Sequence, residues 1–443
     1  MEKTKTLEQI QQDAFHPIRT HRFAGKLWIR FLVLLVVLGV FSYVTQLRDG
    51  LGITAMRDYS AWGLYIGHFV FLVAVSLVGA LVTAILKLLN ISWATPVTRI
   101  AEMISIAAVM FAAITIVVDM GRPDRVHHVI VHARLQSPIF WDVFVINTYL
   151  VISVLLLYIP MIPDLAMMRD RLTDVPAWQR KMYRMLALNW KGTKEQWSTL
   201  KKTIKVLLIL VLPVAFAIHT VTSWLFAVTH RTGWDSTIFG PYFVSGAFVV
   251  GVAAVIVAMY VFRKAYKIQN YLTIHQFNMM GKLLALVSII YLYFNLNEYL
   301  VPWYTEKLLD MAHLKELFIG HEAPLFWGSL VIGMILPIVL LLFRRMRAPR
   351  PLFFIAIAVV LGAWVKRMLI VIPTQFHPHL PIQNVPDEFM TYVPTWHEIA
   401  VTGLTVAGVF MVITILARIF PVFPIWEVAE EHGVPQDELH KNE

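Results

Sequence analysis

Ten long apolar stretches decide most of what this 443-residue chain can fold into. They lie at about 27–44, 61–86, 100–118, 139–161, 204–228, 241–261, 281–300, 323–342, 352–372 and 397–420. A helix crossing a hydrocarbon core about 30 Å thick takes roughly 20 apolar residues, and each stretch is near or above that length. Lipid offers the backbone no hydrogen-bond partners, so only helices and closed barrels span it. Barrel strands are about half as long and alternate in polarity; these stretches do neither. The pattern specifies an all-α polytopic membrane protein with ten transmembrane helices. Composition agrees, with 58% hydrophobic and 15% charged residues, where soluble domains run at roughly 45–50% and about 25%. A water-soluble enzyme is excluded. With 0 cysteines, the chain has no disulfide, no thiolate-held iron–sulfur cluster and no CxxCH haem attachment. The polar segment Met1–Lys26 precedes the first stretch, which therefore reads as a retained span and not a cleaved signal.

Basic residues orient the spans, because cytoplasmic loops collect Lys and Arg. One face holds 28 of them and the other 8, with Lys366 and Arg367 inside span nine. Both termini then lie in the cytoplasm of a bacterial inner membrane. The net charge of +10 is mainly this bias, so nucleic acid is not an expected partner. The cytoplasmic connection 162–203 is the longest, with a short surface helix expected around Trp178–Leu188. The outer side carries 9 of the 16 histidines and a Pro-rich loop, Pro373 to Trp396, expected to lie ordered against a neighbour.

A parallel repeat is visible in Pro138-Ile-Phe-Trp141 and Pro324-Leu-Phe-Trp327, which open spans four and eight. It divides the chain into 1–60 (cytoplasmic segment, first span, outer loop), 61–228, 229–372 and 373–443 (outer loop, tenth span, tail). The middle parts would be two four-helix bundles, spans two to five and six to nine, flanked by spans one and ten.

Ionisable groups inside a membrane are costly and mark pathways, partners or sites. In the outer half lie His68, Asp119, Asp142, His219 and Arg367, with Arg122 at the rim. Glu298, with Asn295 and Asn297, is expected to cap the outer end of span seven. In the inner half Glu102 follows Arg99 by one turn, and Asp164 follows Pro163 at the inner end of span four. Quinone or quinol suits this distribution, being an apolar molecule that enters from lipid and exchanges protons near one surface. A histidine beside a carboxylate suits proton exchange near neutral pH. The plain alternatives are interhelical hydrogen bonds for the two histidines, interfacial salt bridges for Asp119, Arg122 and Asp142, a loop cap for Asp164 and outward snorkelling for Arg367. Stacked haems are not expected, since only His68 and His219 lie well inside the spans. The outer histidines give weak ligand spacing, so no metal site is expected.

Short motifs in order along the chain carry a family likeness. They are Ile66-Gly67-His68, Arg99-Ile-Ala-Glu102, Gly121-Arg122-Pro123, Ser137-Pro-Ile-Phe-Trp-Asp142, Ile162-Pro-Asp164, the His219 segment, Gly233-Trp234 with Phe239-Gly-Pro-Tyr-Phe243, and Tyr392-Val-Pro-Thr-Trp396. The chain resembles the NrfD-like membrane subunits of polysulfide reductase. Within them it is most similar to the ten-span quinol-interacting subunits of alternative complex III. The resemblance implies a subunit with no covalently bound cofactor that uses quinone or quinol as substrate. Its partner would be an extracytoplasmic iron–sulfur protein, with a molybdopterin subunit, a multihaem cytochrome or a second membrane subunit of the same type in related complexes. It makes His68, Asp119, Arg122, Asp142 and His219 quinone-pocket candidates, with His68, Asp142 and His219 reactive. Glu102 and Asp164 become candidates for a proton route from the inside. Two other classes compete: a membrane anchor without its own quinone site, which leaves the buried histidines unexplained, and a secondary transporter, which would show spans broken at matching positions in the two halves.

Overall fold

The computed structural model describes residues 5–19, 23–380, 383–386, 389, 391–435 and 438–439; Lys3, Arg22 and Lys441, three of the basic residues used for orientation, lie outside them. Among the described residues every regular element is helical. Ten helices are long and apolar enough to cross a membrane: Gly25–Asp49, Leu64–Leu88, Ser92–Asp119, Pro138–Arg171, Lys194–Ala227, Phe239–Ala265, Ile274–Thr305, Ala323–Leu342, Pro349–Phe376 and Trp396–Ile419. These are spans one to ten. Their starts carry ordinary helix signals, with capping boxes at Thr193/Gln196, Thr273/Gln276 and Thr395/Glu398 and proline in the first turn of spans four, eight and nine.

Several helices outrun their apolar stretches. Spans four and five have 34 residues each, or about 51 Å at 1.5 Å per residue. The connection between them shrinks to 172–193 and carries the surface helix Ala177–Leu186. Asp164 accordingly lies within span four, which continues past it to Arg171 and leaves the loop-cap alternative no place, and Asn295, Asn297 and Glu298 lie within span seven instead of capping it. Hydropathy marks where lipid ends, whereas the backbone stays helical until a breaker or cap stops it. The polar N-terminal segment holds a further helix, Leu7–Arg19, that buries Ile10, Ala14, Phe15 and Ile18. It is tied down by Lys5 and Tyr271 on Asp13, both at 2.9 Å.

Span two lies innermost, with 94% of its apolar window buried against 17% for span one. It packs on spans three, five, six and nine; spans four and five pair, as do six with seven, six with nine, and eight with nine. Spans one and ten pair with each other, and span ten also lies along span three. Span eight contains a π-helical turn, Val331–Ile335, whose Gly333 meets Gly362 of span nine backbone to backbone. The outer loop after span nine is partly held: Gln375 bonds the Trp62 backbone and Thr232 donates to the His377 carbonyl at 2.8 Å. Residues 381–382, 387–388 and 390 of that loop lie outside the described set.

Candidate functional site

Span nine organises the centre of the molecule. Gly233 adopts φ +79°, where a side chain would be strained and a Cβ would meet His313 at 3.0 Å. That turn tucks Trp234 under the outer surface, where its indole donates to the Ile370 carbonyl at 2.7 Å and fixes the outer end of span nine. Lower down, Gly246 of span six leaves room for the Arg367 guanidinium, since a Cβ there would sit 2.7 Å from Nη2. Arg367 is 3% exposed and lies over the Phe243 ring at 4.9 Å. It does not snorkel outward, because its helix faces other helices and not headgroups.

Trp364 and Arg367 are one turn apart on one face of span nine, and Trp364 meets a buried histidine. The Trp364 indole donates to Nδ1 of His68, in span two, at 3.2 Å. His219, in span five, uses its Nδ1 on the Ala215 carbonyl at 3.3 Å. Nε2 of His68, Nε2 of His219 and Nη1 of Arg367 are buried with no hydrogen-bond partner among the described residues. One turn beyond His219, Thr222 donates to Asp142 Oδ1 at 2.6 Å, which brings the span-four carboxylate to the same face of span five. Span nine, from the other half of the chain, thus reaches the sequence-predicted His68. Trp364 is absent from the sequence-predicted set because an aromatic inside an apolar run reads as core; its position one turn before Arg367 is the available signal.

The other candidates fall into separate groups. Asp119 belongs with Glu398 and Tyr65 near the outer ends of spans two, three and ten, and its Oδ1 is buried and unpaired among the described residues. Glu398 is fully buried and well satisfied, accepting from Tyr392, from the Ala55 N–H at 2.8 Å and from the Thr395 N–H at 2.9 Å. Arg122 sits away from these carboxylates. It is 63% exposed and forks onto Asp124 at 3.1 Å, since the turn after Gly121 carries it out past the helix end.

On the inner side Arg99 pairs with Asp164 at 2.5 Å, not with Glu102. Asp164 also accepts the Ile425 and Trp426 N–H groups at 3.2 and 3.1 Å, and Lys87 pairs with Glu427 at 2.9 Å. A C-terminal helix, Ile425–Glu431, is thereby pinned against the inner ends of spans two to four. Glu102 stays buried within the field of Lys87 and Arg99, with Oε1 unpaired among the described residues. In the second half Lys366 donates to Tyr299 and lies 4.4 Å from that ring, while Glu298 accepts from Ser236 at 3.0 Å.

Outside the spans, His127, His128 and His132 are exposed, and His128 and His132, four residues apart, stand 5.1 Å apart edge to face. His128 and His132 thus form a His-x-x-x-His pair, a stronger ligand spacing than expected on this side, but no three His, Asp or Glu side chains converge as a metal site among the described residues. His313 of the outer helix Leu308–Phe318 is pushed down to about 3 by burial, with His377 and Lys366 adding to it, so it stays neutral. A groove of about 560 Å³ runs between spans two, five, six and seven, lined by Val82, Phe216, Val244, Phe248 and Val287 among others. It suits an apolar chain and offers little to a polar ring.

The profile of the polysulphide reductase family, NrfD, matches residues 52–378. The chain belongs to that family. A selenate reductase subunit of Mesobacillus selenatarsenatis is 25% identical over 94% of this chain and 99% of its own length. The integral membrane subunit of menaquinone reductase from Nitratidesulfovibrio vulgaris is 22% identical over 90% of this chain and 92% of its own. Neither of these two relatives is named as part of an alternative complex III. For an NrfD-family chain the Gly233-Trp234 motif acquires a plain physical role, the fastening of span nine.

Proposed function

We propose that this NrfD-family protein is the membrane subunit of a respiratory oxidoreductase and binds quinone or quinol beside span two, on which spans five and nine both pack. The relatives are reductase subunits, and one is named for menaquinone. The observation that carries the reading is the set of unpaired buried atoms on His68, His219 and Arg367. An unmade buried hydrogen bond costs about 1–3 kcal/mol, and a histidine serving only to tie helices together would engage both nitrogens. Each of these engages one. A ring with two oxygens that accept, and in its reduced form also donate, meets their needs. Asp142, bonded to Thr222 one turn from His219, supplies a carboxylate and completes the reactive group with His68 and His219.

Electrons would pass between this site and an iron–sulfur subunit on the outer side. The segment beyond Arg122 exposes Ile130, Val131 and Leu135 at 72%, 67% and 62% outside the membrane spans, beside three histidines. Such a surface suits protein cover better than water. Asp119 would pass protons outward, and Glu102 is the inner group placed to exchange them in redox-linked translocation; Asp164 is already committed to Arg99 and the tail. A molybdopterin subunit, a multihaem cytochrome and a second membrane subunit would extend the complex.

Two experiments test this. Purification in mild detergent should yield an iron–sulfur subunit and extractable quinone, and photo-cross-linkers at Arg125 and His379 should capture that subunit. Capture only from the 172–193 connection, or a preparation free of quinone, would overturn the reading. Reporter fusions after Glu195 and at the C-terminus should report cytoplasm, and one within 375–390 the outside. A cytoplasmic signal at 375–390 would reverse the orientation argued from 28 basic residues against 8.

A further inference from the structure

The hydrogen bonds of the two buried histidines give their free nitrogens opposite polarity. An indole N–H only donates, so Nδ1 of His68 is the accepting nitrogen and the neutral ring carries its proton on Nε2. A carbonyl only accepts, so Nδ1 of His219 carries the proton in its bond to Ala215, and Nε2 presents a lone pair. Both Nε2 atoms are buried and unpaired among the described residues. The first is a donor without an acceptor, and the second an acceptor without a donor. The two rings belong to spans two and five, which pack together, and Trp364 of span nine lies on His68.

We propose that His68 is a hydrogen-bond donor to a ring oxygen, that His219 is the proton acceptor, and that Trp364 is the positioning residue that imposes the donor tautomer on His68. The proposal rests on the quinone reading and assigns roles that the sequence left equivalent. In quinol oxidation His68 Nε2–H bonds one ring oxygen and keeps its proton. The hydroxyl O–H facing His219 breaks as an N–H forms on His219 Nε2, the second hydroxyl proton passes to the Asp142 carboxylate of the same proposed site, and the two electrons leave one at a time to the iron–sulfur partner, so that quinone remains. Without the indole, His68 is free to place its proton on Nδ1 and turn a lone pair toward the ring, so the donor is lost from part of the population.

The test compares His68→Ala, His68→Gln and Trp364→Phe in the assembled complex, with the amount of each subunit measured in the same membranes. Glutamine keeps an N–H donor but is no base. His68→Gln should therefore recover at least a tenth of wild-type quinol turnover, while His68→Ala falls below roughly a hundredth. Trp364→Phe should raise KM for quinol about tenfold with a smaller change in kcat. With quinone labelled at a ring carbonyl, the infrared band should be shifted by hydrogen bonding in the wild type, return toward its free position in His68→Ala, and split in Trp364→Phe. His68→Gln as inactive as His68→Ala would make His68 the base and overturn the assignment. An unsplit, fully shifted band in Trp364→Phe would remove the role given to Trp364. Wild-type turnover in all three, with bound quinone unchanged, would instead overturn the quinone reading itself.

Discussion

Replacing His219 with alanine is expected to lower quinol-linked turnover per assembled complex by about 10²- to 10⁴-fold, the range general-base removal commonly gives. The expectation follows from what surrounds the ring. His219 is buried at 2% exposure, spends Nδ1 on its own helix, and keeps Nε2 free of any described partner. The loss should be catalytic and not structural, because removing this side chain breaks only one local bond, and that bond joins it to its own helix. Asp142→Asn should fall between wild type and His219→Ala, since the amide oxygen can still accept from Thr222 while the charge is lost. The measurement is turnover normalised to the amount of assembled subunit, with extracted quinone counted in the same sample. Near-normal turnover in His219→Ala with quinone retained would place the proton acceptor elsewhere.

The second large effect is on assembly. Asp164→Ala is expected to remove most of the folded subunit from the membrane, because it leaves Arg99, 1% exposed, as a buried charge whose partner is gone. Breaking one half of a buried pair costs about 3–5 kcal/mol, a large share of the roughly 5–15 kcal/mol that holds a typical domain folded. The same change strips the Ile425 and Trp426 N–H groups of their acceptor, so the tail helix should come loose with it. Arg99→Leu combined with Asp164→Leu should restore much of the lost abundance, because no charge is then stranded. Quantitative blotting and protease sensitivity of the tail measure both outcomes. Wild-type abundance and a protected tail in Asp164→Ala would return Asp164 to the proton route proposed from sequence. Glu102→Gln, by contrast, should leave abundance near normal, as Glu102 holds neither Arg99 nor the tail.

How legible the protein is from its sequence varies with the distance over which each feature is decided. The ten spans were readable because membrane crossing depends on the transfer free energy of about 20 consecutive residues, a property local to each stretch. Helix ends were less readable: span four runs on through Pro160, Pro163 and Asp164 to Arg171, so a residue expected at the helix end became a buried anchor within it. The candidate residues His68, Asp142 and His219 stood out because polar groups are expensive in lipid wherever they occur. Their partners did not. Trp364 meets His68 across 296 residues, Asp142 meets Thr222 across 80, and Arg99 chooses Asp164 across 65 over Glu102 one turn away. Such choices depend on which helices touch and at what height, and that is set by close contacts such as Gly246 against Arg367 and by fastenings such as Trp234 on Ile370. Sequence by itself determined the helical class, the number of spans, the buried polar residues and the family motifs, because each is a local property of the chain. Only the tertiary structure decided that Trp364 of span nine bonds His68, that Arg122 turns away to Asp124, and that Asp164 grips the tail, because hydrogen-bond and charge pairing are settled by which elements touch and not by the order of residues.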